Sequence, residues 1–75
     1  MNGKLPLLTA KELIKILNKF GFQAIRQKGS HVYLKHGDGR CTVVPLHAGK
    51  EIGKGLLKRI PNETEISRED FLRKL

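Results

Sequence analysis

The chain has 75 residues, with fifteen lysines and arginines against seven aspartates and glutamates, a formal net charge of +8. That length holds one domain with a small core, which is only marginally stable alone. A lone cysteine, Cys41, excludes a disulfide framework within the chain, and no apolar run approaches the roughly 20 residues of a membrane helix.

The opening Met1-Asn2-Gly3-Lys4-Leu5-Pro6 is too short in apolar residues for a secretory signal, so a soluble cytoplasmic protein is expected. The charge is unevenly spread. Residues 1–60 carry twelve basic and three acidic side chains, net +9, whereas residues 61–75 carry three basic and four acidic, net −1. A field of that sign attracts polyanions, and nucleic acid is the commonest one that a cytoplasmic domain meets. The competing explanation is a lysine-rich surface kept for solubility.

In chain order, Thr9-Ala10-Lys11-Glu12 reads as a capping box, with Leu8 and Leu13 placed as a hydrophobic staple. Ala10, Leu13, Ile14 and Leu17 follow the spacing of one buried helical face, while Lys11, Lys15 and Lys19 line another. Gly21 suits a left-handed cap after Phe20. The first helix is expected over about residues 9–20.

Three strands follow. Residues 22–27 read as the first, and Lys28-Gly29-Ser30 as a turn. His31-Val32-Tyr33-Leu34-Lys35 alternates polar and apolar and forms the second. His36-Gly37-Asp38-Gly39 is a tight turn, because glycine and aspartate tolerate positive φ. Arg40 to Val44 is the third strand, ended by Pro45. Ile52, Leu56, Leu57 and Ile60 then have helical spacing, giving a second helix over about 54–60 that Pro61 stops. Asn62-Glu63-Thr64-Glu65 reads as a polar linker. Ser67, with Asp70 three residues on and an Ile66–Phe71 staple, opens a last short helix. There are no internal repeats.

The expected fold is α+β: a three-stranded antiparallel sheet covered by helices on one face, with the other face open to solvent. Residues 1–75 are expected to form a single domain.

Alternation separates two groups on the second strand. Val32 and Leu34 point toward the helices; His31, Tyr33 and Lys35 point toward water. A core histidine would share the face of Val32, and His31 does not. An imidazole exchanges a proton near neutral pH, so His31 can serve phosphodiester cleavage. Lys28, or a backbone N–H at Gly29 or Ser30, can stabilise the charge that develops on phosphorus. On RNA the 2′-hydroxyl is an internal nucleophile, so no metal is required. Taken alone, an exposed strand histidine is compatible with an inert surface residue as well.

The stretch Gln27-Lys28-Gly29-Ser30-His31-Val32-Tyr33 is followed by Gly37-Asp38-Gly39-Arg40, Val43-Val44-Pro45-Leu46-His47 and Gly49-Lys50-Glu51-Ile52. Together with Leu8-Thr9-Ala10-Lys11-Glu12-Leu13 and Gly21-Phe22, these motifs resemble the HicA toxin family over residues 8–60. The resemblance implies the double-stranded-RNA-binding-domain fold, α-β-β-β-α, in agreement with the order read above. It implies the toxin of a type II toxin–antitoxin pair, a ribosome-independent mRNA endonuclease that uses no metal or other cofactor and is neutralised by a HicB antitoxin. The catalytic histidine of the family's Gly-Ser-His motif falls at His31. The chain departs from the family at Val32, at Val43 and over residues 60–67, where Pro61 is expected to shorten the second helix.

Other positions are weaker candidates. Arg26, Tyr33, Lys35, His47 and Lys50 can contact RNA, Tyr33 by stacking on a base. Tyr33 is equally readable as a plain sheet-surface aromatic, and His47 as a loop histidine. Cys41 is expected to face away from His31, and no residue pair has structural-zinc spacing. A non-catalytic RNA-binding module of the same fold remains the alternative, as does a protein-interaction domain whose basic face meets an acidic partner.

Overall fold

The computed structural model of the chain describes residues 8–46 and 53–74. Helix α1 spans Ala10–Lys19. It starts where the capping box predicts: Thr9 Oγ1 accepts the Glu12 N–H at 3.2 Å, and the Glu12 carboxylate accepts the Thr9 N–H at 2.9 Å. Ala10, Leu13, Ile16 and Leu17 are buried, while Ile14 is only half-covered. The expected face named Ile14 in place of Ile16. At 100° per residue these two flank the Ala10–Leu13–Leu17 stripe on opposite sides, so periodicity leaves the choice to the neighbouring elements. Lys11, Lys15 and Lys19 are exposed, as their spacing requires. Gly21 follows the helix with φ +93°, the left-handed cap that a Cβ disfavours.

Strands β1 (Phe22–Lys28), β2 (His31–His36) and β3 (Cys41–Pro45) form an antiparallel sheet in the order β1-β2-β3. Pro45 closes β3 from within rather than after it; it has no N–H to give, which an edge strand tolerates. Phe22, Val32, Leu34, Thr42 and Val44 are buried beneath the helices. The four apolar ones, Phe22, Val32, Leu34 and Val44, join Leu8, the α1 stripe, Ile60, Ile66 and Phe71 in one core. The fold class is therefore α+β, with helices on one side of an open sheet.

Helix α2 spans Lys54–Thr64, so it does not stop at Pro61. A proline inside a helix removes one hydrogen bond and crowds the preceding turn. Here that loss is offset by what holds the final turn. Ile60 and Thr64 are fully buried. Thr64 Oγ1 donates to the Ile60 carbonyl at 2.7 Å, and Thr42 Oγ1 on β3 donates to Glu63 Oε1 at 2.8 Å. The Arg40 guanidinium donates to the Thr64 carbonyl. Glu65, in the left-handed region at φ 58°, caps the helix by donating its N–H to the Pro61 carbonyl at 2.9 Å. The residues read as a polar linker are thus the last helical turn and its cap. Helix α3 (Arg68–Arg73) starts at Ser67, whose hydroxyl accepts the Asp70 N–H at 3.1 Å.

Candidate functional site

The β1–β2 hairpin closes through two residues, Gly29 and Ser30, between the paired Lys28 and His31. Gly29 has φ +59° and Ser30 does not have a positive φ. That sign pattern is the one in which glycine occupies the first turn position of a two-residue hairpin. Two contacts brace the turn. Gln27 Nε2 donates to the Gly29 carbonyl at 3.1 Å, and the Leu46 N–H donates to the Ser30 carbonyl, tying the turn to the end of β3. His31 is the first residue after this fixed turn, and its side chain is exposed.

Paired residues in a ladder share a face, so the register defines what surrounds His31. Lys28 lies across from it on β1 and Pro45 on β3. The next row on the same face is Arg26, Tyr33 and Val43. The third is Gln23, Lys35 and Cys41. No carboxylate stands in these nine positions, while three cations do. A phosphate approaching these nine positions meets positive charge from Arg26, Lys28 and Lys35 and no acid among them.

The rows depend on an irregularity in β1. The register shifts between Ala24 and Arg26, leaving Ile25 as the extra residue of a bulge. Strict alternation from the buried Phe22 would turn Arg26 and Lys28 toward the helices. The bulge reverses the phase, so both cations join the open face and Gln27 turns away from it. Ile25, 58% exposed, is the large apolar side chain left in solvent at that point. Nothing in the alternation of the sequence signals this reversal.

Arg26 uses its position. Its guanidinium lies 5.0 Å from the centroid of the Tyr33 ring, within reach of the ring's quadrupole. Tyr33 is half-buried and Arg26 is exposed above it. On the other side of β3, Arg59 of α2 donates to the Val43 carbonyl at 3.0 Å and pairs with Glu63 at 3.2 Å. That contact satisfies an acceptor on an edge strand.

The β2–β3 hairpin has its own network, on the helix side. His36 meets Phe22 edge-on with centroids 5.2 Å apart, and Arg40 lies 5.3 Å from the Phe22 centroid. Asp38 accepts from Arg40 Nε at 2.8 Å and from the Arg40 N–H at 3.1 Å. Side-chain and backbone hydrogen bonds from Arg40, then the charges of Arg40 and His36, hold the Asp38 carboxyl below its ordinary range.

Of the residues singled out from sequence, Arg26, Lys28, His31, Tyr33 and Lys35 come together on one face, with Gly29 and Ser30 shaping its rim. His47 and Lys50 lie outside the described residues. Cys41 was expected to face away from His31, yet it shares the open face, two rows off, with its thiol 3.4 Å from the Gly39 carbonyl. Val43 and Val44 are both apolar, so alternation alone left the phase of β3 open, and it is the pairing with β2 that sets it. Among the described residues no three His, Cys, Asp or Glu are grouped to hold a metal ion.

A helix, a three-stranded antiparallel sheet and further helices on the same side of it define an α+β domain of the double-stranded-RNA-binding-domain arrangement. The family model described as HicA toxin of bacterial toxin-antitoxin matches residues 10–66, most of the chain. This chain therefore belongs to the HicA toxin family, and its role is that of a toxin in a toxin–antitoxin system. The resemblance read from the motifs is borne out. No curated protein matches the chain. No helix among the described residues is long and apolar enough to cross a membrane.

Proposed function

We propose that this protein is an mRNA endonuclease in which His31 is the general acid/base, and that a HicB-type antitoxin neutralises it. Family membership supports the toxin role. The observation that carries the chemistry is the exposed His31, seated on a braced turn with Lys28 across the ladder.

The reaction needs little else. The 2′-oxygen attacks phosphorus, the P–O5′ bond breaks, and the products are a 2′,3′-cyclic phosphate and a free 5′-hydroxyl. One proton leaves O2′ and one arrives at O5′. An imidazole serves either transfer because it exchanges a proton near neutral pH. Lys28, with the Gly29 and Ser30 backbone at the rim, stabilises the negative charge that builds on the phosphorane oxygens. The nucleophile belongs to the substrate, so the chemistry proceeds without a metal-activated water.

The test is RNA cleavage by the wild-type protein and by His31→Ala in excess EDTA, with both shown folded by circular dichroism. The expected outcome is cutting by the wild type and at least a hundredfold slower cutting by the variant, the scale of general acid–base catalysis. Equal RNA binding by both with no cutting by either identifies a non-catalytic RNA-binding module instead.

A further inference from the structure

The row beside His31 has a composition that phosphate binding alone does not require. Tyr33 is flanked by Arg26, whose guanidinium lies 5.0 Å from its ring centroid, and by the half-buried Val43 on β3. A site for phosphates needs only cations. An aromatic ring with a guanidinium over it, on an open sheet, offers a π surface of the kind on which unstacked bases settle. The row lies two residues along β2 from the His31 row, about 6.7 Å at normal strand rise. A phosphate held between His31 and Lys28 therefore carries an adjoining nucleotide onto it.

We propose that Arg26 and Tyr33 form a nucleobase platform next to the cleavage point, and that the substrate is single-stranded RNA with a base flanking the scissile phosphate laid on this pair. The proposal deepens the reading of His31 as a ribonuclease residue and rests on it for the position of the cut. It rests on the structure for the platform. The β1 bulge at Ile25 is what turns Arg26 onto the face of Tyr33. An A-form duplex keeps its bases stacked inside and offers this platform only sugars and phosphates. The nine-position face contains no acid to repel the strand. His31 moves protons, and the platform fixes which phosphate it meets.

The chain has one tyrosine, Tyr33, and no tryptophan, so its intrinsic fluorescence reports on this ring alone. The experiment titrates His31→Ala, which leaves the strand uncut, with three probes. These are a short single-stranded oligoribonucleotide, the same ribose–phosphate strand made abasic, and the corresponding duplex. The single strand is expected to quench the tyrosine and to bind about ten- to a hundredfold more tightly than the abasic strand, the range for one or two stacked bases. Tyr33→Leu is expected to lose that preference for bases, and Tyr33→Phe to retain it when binding is followed by anisotropy. Arg26→Ala is expected to weaken binding to the single strand more than to the abasic one.

Equal binding of intact and abasic strands, or equal quenching by duplex and single strand, overturns the platform. These outcomes are separate from the fate of the nuclease reading. A protein that binds bases as expected but cuts no RNA with His31 present keeps the platform and loses the catalysis. One that cuts abasic and intact strands equally well keeps the catalysis and loses the platform.

Discussion

Two glycines show how a single residue decides local geometry here. Gly29, at φ +59°, has open space around the point where a Cβ would stand. Gly29→Ala therefore costs only backbone strain, about 1 kcal/mol. For a domain of this size that is a fall of roughly 4–8 °C in Tm. Gly21, at φ +93°, is different: a Cβ there would lie 2.9 Å from His36 Nε2. Gly21→Ala is expected to lower Tm by more than Gly29→Ala, because it adds a collision with a half-buried ring to the backbone strain of a positive φ. A thermal melt of the two variants checks the order, and equal melting temperatures would show that His36 moves aside freely. Both glycines were readable as turn or cap residues from their type and place. His31 was readable as exposed, because strand alternation put it opposite Val32 and Leu34. The orientation of Arg26 was not, since it hangs on one extra residue in β1.

At the scale of the element, the β2–β3 hairpin carries a pH-dependent contribution to stability. The His36 N–H donates to the Arg40 carbonyl at 2.8 Å and the Gly39 N–H to the His36 carbonyl at 2.9 Å, closing the turn. Within it, Asp38 is held by Arg40, whose guanidinium also donates to the Thr64 carbonyl at the end of α2. The Asp38 carboxyl is shifted below its ordinary value of 3.8 in the folded chain. A group with a depressed folded pKa contributes stability that is complete above its unfolded pKa. That stability is lost as pH falls through the folded one. The urea midpoint of the wild type is therefore expected to drop on acidification below about pH 4 by more than that of Asp38→Asn. Parallel midpoints from pH 7 to pH 2 would remove Asp38 from the account. Asp38 is half-exposed, so the difference is small. The same arginine explains why Pro61 failed as a stop signal. A proline is read locally, but the turn beyond it is held by Arg40 and Thr42, residues some twenty positions away in sequence.

At the scale of the whole molecule, two groups of three cations among the described residues lie on separate surfaces, and only one group is proposed to meet the substrate. Lys11, Lys15 and Lys19 are exposed on α1. Arg26, Lys28 and Lys35 lie on the open sheet. If single-stranded RNA lies along the sheet, Lys28→Gln lowers the slope of log affinity against log salt by about 0.7, the value for one phosphate contact. Lys11→Gln leaves the slope unchanged. The reverse pattern in salt titrations would move the RNA to the helix face.

The sequence by itself determined the order of elements, the first helix start, the two hairpin turns, and the exposed side of β2. Each of these follows from interactions within a few residues: caps, turn glycines and the period-two alternation of a strand. Tertiary structure alone decided three other matters. It carried α2 past Pro61, because Thr42 on β3 and Arg40 beside it hold the final turn across the fold. It chose Ile16 over Ile14 for the core, because both flank the same stripe and only the packed neighbours distinguish them. It turned Arg26 and Lys28 onto the face of His31, because the phase of β1 is set by its pairing with β2 and not by its own pattern.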